Sequence, residues 1–108
     1  MKNSIGIHAL VWSGTWNLKD IENSIKLSKQ LGYDLIEIPL LDPFNFDIKN
    51  TKKYLDKYKF NSVTSLGLSE ETDISSSEEH HRINGKKILE KALDVTFELG
   101  SDYMGGVL

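Results

Sequence analysis

Cysteine is absent from the 108 residues, which excludes a disulfide framework, a thiolate metal site and any cysteine nucleophile. That absence suits a reducing, cytoplasmic compartment. Long apolar runs are lacking too. The stretch from Ile7 to Trp12 is far shorter than the roughly 18 residues of a membrane span, and it has neither the charged start nor the small-residue exit of a signal peptide. No membrane partner is expected. Positive charge is not in excess: 13 Lys and Arg stand against 16 Asp and Glu, giving a net charge of -3. The lysines are scattered among acids, so there is no basic footprint for a phosphate backbone and nucleic acid is not expected as a partner. No glycine-rich phosphate loop follows the first apolar run, which weighs against a nucleotide cofactor.

What is present is an ordinary globular composition, 39% hydrophobic and 27% charged, with room for one domain. The run from Ser4 to Val11 reads as a strand buried on both faces. Asn17 is placed to cap a helix whose apolar positions Leu18, Ile21, Ile25 and Leu31 keep the 3.6-residue period, and Gly32 stands where a left-handed terminator belongs. Tyr33 to Leu40 gives a second strand, stopped by Pro39 and the Leu41-Asp42-Pro43 turn signal. Asp47 caps the next helix, with Ile48, Thr51, Leu55 and Tyr58 facing inward and Lys49, Lys52, Lys53 and Lys57 facing solvent.

Asn61 to Leu66 is the third strand. Ser75 or Ser76, with Glu78 or Glu79 three residues on, fits a capping box opening a helix that runs to about Leu99. Its inward stripe is Gly85, Leu89, Ala92, Thr96 and Leu99, and Asp102 to Leu108 is the last strand. Gly85 inside a helix costs about 1 kcal/mol against alanine, through either close packing or a tolerated weak spot. The alternation of strand and helix means parallel strands with crossover connections, as both barrels and open doubly wound sheets begin. A barrel of eight such units takes about 250 residues, so these elements would make only its N-terminal portion.

In parallel α/β folds, ligands sit at the C-terminal ends of the strands, so the informative residues follow the apolar runs. His8 is either a hydrogen-bonding group for a substrate hydroxyl or a satisfied core histidine. Trp12 and Trp16 are either an aromatic wall for the C–H face of a sugar or plugs of the barrel rim. Glu37 lies in an apolar setting where an unpaired carboxylate is costly, so it needs a partner, whether a ligand, a basic group or an internal hydrogen bond. Ser65 and Gly67 follow the third strand, and Val107 is in the fourth. His80 and His81 are adjacent, point about 100 degrees apart on a helix and cannot chelate one ion, which leaves a solvated helix start. Glu70, Glu71 and Asp73 read as an exposed polar loop. No set of carboxylates and histidines at strand ends makes a closed metal site in this chain.

Taken in order, Gly6-Ile7-His8 leading to Val11-Trp12-Ser13, Gly32-Tyr33-Asp34-Leu35-Ile36-Glu37, Leu41-Asp42-Pro43, Gly67, Asp73-Ile74-Ser75-Ser76, Arg82-Ile83-Asn84-Gly85 and Gly105-Gly106 are specific. The chain resembles the D-tagatose, D-psicose and L-ribulose 3-epimerase group of xylose-isomerase-like TIM barrels, essentially end to end. The resemblance implies an α/β fold, the N-terminal part of a (β/α)8 TIM barrel over 1–108, ending before the metal-ligand strands. It implies a parent isomerase that epimerises a free ketose at C3, using one divalent ion (Mn2+, with Mg2+ or Co2+ as alternatives) held by two glutamates, an aspartate and a histidine beyond Leu108.

By the same resemblance His8, Trp16, Ser65, Gly67 and Val107 line the substrate pocket, Glu37 joins them as a substrate-binding residue from its own place on the second strand, and no catalytic residue and no metal ligand are expected in the chain itself. His8 departs from a tyrosine and Ser65 from a glycine found in some relatives, which bears on the choice of ketose. A homo-oligomeric parent is implied. Two alternatives stand beside this expectation: a non-catalytic half-barrel module that needs a partner, and a hydroxypyruvate-isomerase-like enzyme.

Overall fold

The computed structural model describes residues 5–9, 12, 15–72, 74–101 and 103–107. Along the chain it has strand β1 (Gly6–His8), helix α1 (Leu18–Gln30), strand β2 (Leu35–Pro39), helix α2 (Ile48–Lys57), strand β3 (Asn61–Gly67), helix α3 (Glu79–Glu98) and strand β4 (Met104–Val107). Short 3-10 turns at Pro43–Asn45 and Glu70–Thr72 precede the second and third helices.

The first two helices begin where their caps dictate. The Asn17 side chain accepts the Asp20 backbone N–H at 3.0 Å, and the Asp20 carboxylate reaches back to the Asn17 N–H, closing a capping box. Asp47 accepts the Asn50 N–H at 3.0 Å. Two helices end alike. Gly32 (φ +90) and Gly100 (φ +75) take the left-handed conformation. The paired bonds Gly32 N–H to Lys29 O with Tyr33 N–H to Ser28 O, and Gly100 N–H to Phe97 O with Ser101 N–H to Thr96 O, complete two Schellman motifs.

All four strands pair in parallel in the order β1-β2-β3-β4. That order separates the two architectures the sequence left open. A doubly wound sheet reverses direction and covers both faces, whereas steady progress through like-handed crossovers puts every helix on one face, as in a barrel wall. The core agrees: Ile36 and Ile38 pack with Ile21, Ile25, Leu55 and Phe60, and Leu40 and Leu66 pack with Ala92, Val95 and Leu99. Two hydroxyl pairs tie β3 to the third crossover beneath this layer, Thr64 to Thr96 at 2.6 Å and Ser62 to Ser101 at 2.7 Å.

Several local expectations are corrected. The described part of the first apolar run is a strand only over Gly6–His8, and it is covered on one face rather than two. The fourth strand is Met104–Val107, while residues 102 and 108 lie outside the described residues. Leu18 and Leu31 are exposed; Ser24 and Ser28 complete the buried stripe of α1 instead, because small side chains let the helix approach the sheet. The capping box on the third helix does not form. Glu78 is the N-cap without a side-chain cap bond, and the Ser76 hydroxyl accepts the Glu78 N–H at 3.1 Å, a local turn just ahead of the helix. Gly85 is buried for close packing: a Cβ there would lie 2.8 Å from the Thr72 carbonyl carbon and 2.9 Å from Ile74 Cγ2.

Candidate functional site

Side chains alternate across a strand, and parallel register lines up neighbours row by row. His8 stands beside Glu37 and Glu37 beside Val63; Pro39 stands beside Ser65 and Ser65 beside Gly105; Gly67 stands beside Val107. His8, Glu37, Ser65, Gly67 and Val107 therefore all fall on the sheet face turned away from the helices. Five of the six residues singled out in the sequence share one surface. Val107 is placed by its backbone alone, since its side chain lies outside the described part.

On this face His8 and Glu37 meet directly, with Nε2 3.3 Å from Oε2 and side chains 34% and 40% exposed. His8 is thus no core histidine, and Glu37 has found its partner in an adjacent strand. The pair lines a shallow cleft of about 330 Å3 with Leu35, Val63 and Tyr103. Ser65 is half-buried one row nearer the C-terminal edge, and its carbonyl accepts the Leu40 N–H at 2.8 Å. Gly67 is exposed, with open space where a Cβ would stand.

Trp16 is placed elsewhere. Its ring packs on the core beside the helices, and its indole N–H donates to the Thr51 hydroxyl at 3.0 Å, which in turn donates to the Asp47 carbonyl at 2.7 Å. It borders a second cleft of about 340 Å3 with Pro39, Leu41, Asp42 and Phe46. Trp12 is tied to α1 through its N–H and the Ser28 hydroxyl at 2.8 Å. The sequence alone gave no sign of either indole bond, because both acceptors are hydroxyls on helix faces. Tyr103, at the rim of the His8 cleft, was also missed; it precedes an apolar strand and carries no motif.

On the outer surface, Lys57 Nζ at 3.2 Å and the Tyr58 hydroxyl at 3.1 Å hold the Glu22 carboxyl below its ordinary range. The same contact raises Lys57. Among the described residues no three His, Asp or Glu side chains converge, so these residues do not fit a divalent ion. His80 and His81 stack edge to face with ring centroids 4.2 Å apart, and His81 Nδ1 lies 3.3 Å from the Ser76 hydroxyl. No helix among the described residues is long and apolar enough to cross a membrane.

A one-directional parallel sheet with its helices on one face is the geometry of a TIM-barrel wall, and the chain superimposes on the N-terminal third of TIM-barrel epimerases. More narrowly, over almost its whole length the chain is a homologue of the N-terminal portion of the ketose 3-epimerases. It is 42% identical over 103 residues to L-ribulose 3-epimerase of Methylomonas sp. (strain DH-1), covering 95% of this chain and 36% of that protein. It is 39% identical over 104 residues to ketose 3-epimerase of Arthrobacter globiformis, covering 96% and 36%. The crystal structure of D-allulose 3-epimerase from Methylomonas sp. in complex with D-allulose matches with a TM-score of 0.93 at 41% identity, over 96% of this chain and 36% of that one. The chain thus spans a little over a third of the length of these relatives. No family model matches it.

Proposed function

We propose that this chain forms the N-terminal wall of the sugar pocket in a metal-dependent ketose 3-epimerase. One observation carries the reading: a chain alike over 96% of its length to a D-allulose-bound epimerase brings His8, Glu37 and Ser65 from three adjacent strands to the face that would be the barrel interior. Within that pocket His8 hydrogen-bonds a ketose hydroxyl, while Val63 and Pro39 offer apolar surface to sugar C–H groups. The proton transfer at C3 and the divalent ion that would support it, manganese first, belong to polypeptide outside these 108 residues. No catalytic step is assigned to the described side chains.

Fusing this chain in place of the corresponding third of the Methylomonas enzyme tests the reading. Epimerisation of D-allulose by the fusion supports it. A folded, manganese-loaded fusion without turnover speaks against it.

A second reading has its own observation. Among the described residues no strand pairs with the outer edge of β1 or of β4 and no element covers one face of the sheet, and exposed edges invite pairing. A half-barrel module that associates without catalysing would show as a discrete oligomer on size exclusion.

A further inference from the structure

We infer that Glu37 is a positioning residue, acting on the ketose only through His8; this rests on the reading of the open face as the sugar wall. The two side chains stand in the same register row of adjacent strands, and the Nε2 to Oε2 approach of 3.3 Å spans the β1–β2 seam. His8 is the last residue of β1, so its strand ends at the ring and the seam contact is a means of fixing where the imidazole points. Of the other residues lining the cleft, Leu35 and Val63 are apolar and Tyr103 stands at its rim. A carboxylate beside an imidazole holds both its orientation and its tautomer, as outer partners of functional histidines do.

The consequence is an interaction between the two sites. If Glu37 works through His8, its removal matters only while the imidazole is there, so the two substitutions are not additive. Losing one oriented hydrogen bond to a sugar hydroxyl corresponds to roughly a 3- to 10-fold rise in KM, with kcat little changed because the ring sits away from the proton transfer.

Two measurements test this. In the 108-residue chain, the χ1 couplings of His8 by NMR should report one rotamer in the wild type and in Glu37→Gln, which keeps an acceptor oxygen, and rotamer averaging in Glu37→Ala. In the fusion with the Methylomonas enzyme, His8→Ala and Glu37→Ala should each raise KM for D-allulose by the factor above, and the double variant should do no worse than His8→Ala alone. Multiplying effects would overturn the inference, since Glu37 would then touch the sugar itself; so would an unchanged His8 rotamer in Glu37→Ala. A wild-type fusion that folds and turns nothing over speaks against the proposed function instead, and the coupling measurement still decides whether Glu37 holds the ring.

Discussion

Substituting Gly85 by alanine sets two effects of opposite sign against each other. In an unobstructed helix interior the change would stabilise by about 1 kcal/mol, since alanine restricts the unfolded chain and glycine is a poor helix former. Here the new methyl would press on the Thr72 carbonyl oxygen and lie 2.8 Å from its carbon and 2.9 Å from Ile74 Cγ2. The main obstacle is backbone of the 3-10 turn Glu70–Thr72, which cannot rotate aside as a side-chain tip can. Overpacking of this kind costs about 1–3 kcal/mol and occasionally more. Because the propensity gain is already exceeded by contact with one fixed carbonyl, a net loss of about 1–2 kcal/mol is expected. Urea unfolding of the 108-residue chain, followed by circular dichroism, should show a lower midpoint at unchanged slope, and the melting temperature should fall by roughly 4–8 °C per kcal/mol. A variant as stable as the wild type, or more so, would refute the packing argument and leave Gly85 a tolerated weak spot. Gly67→Ala is the matched control: the space around it is open, and stability should move by no more than about 0.5 kcal/mol.

Trp16→Phe keeps the ring on the core but loses the bond to Thr51, so a destabilisation of about 1 kcal/mol is expected by the same denaturation assay. In the fusion enzyme, Trp16→Ala should lower kcat/KM for the ketose far more than His81→Ala, partly through stability now that the indole is seen anchored to α2; steady-state kinetics alongside melting curves separate the two. Glu22 is held below its ordinary range by Lys57 and Tyr58. Its stabilising contribution is therefore present above the ordinary glutamate range and fades as pH falls through the lower folded value. Lys57, raised by Glu22, contributes below the ordinary lysine range and loses that contribution as pH rises through its folded value. Glu22→Gln should flatten stability slightly at both acid and alkaline ends in pH-dependent melting, a small effect for so exposed a pair. After dialysis the 108-residue chain should retain no stoichiometric manganese by elemental analysis, since no three ligand side chains converge among the described residues.

Much of the fold was legible because its determinants are local. Asn17, Asp47, Gly32 and Gly100 mark helix ends through bonds made within a few residues, and Ile21, Ile25, Thr51 and Leu55 declare their faces by spacing alone. The failures fall where distant partners decide. Leu18 and Leu31 keep the helical period yet stay exposed, because burial depends on where the sheet lies, and it meets α1 along Ser24 and Ser28. The opening of α3 was misread because Ser76 satisfies a turn before the helix instead of the helix end. For the candidate site, position at strand ends was the signal that singled out His8, Glu37, Ser65 and Gly67, and the register brings them to one face. That His8 and Glu37 touch depends on the register between β1 and β2, which no stretch of sequence states. The loop position of Trp16 was legible, but its indole bond was not, since the acceptor is 35 residues away on another helix.

The central claim is that the helix-free face of the sheet is the wall against which a ketose lies. A crystal structure of the fusion with the Methylomonas enzyme, grown with D-allulose, tests this most directly. Sugar atoms are expected within about 4 Å of His8 and of the Pro39–Ser65 row, with Glu37 on the imidazole and not on the sugar. A well-ordered sugar that touches no residue of β1, β2 or β3 would contradict it.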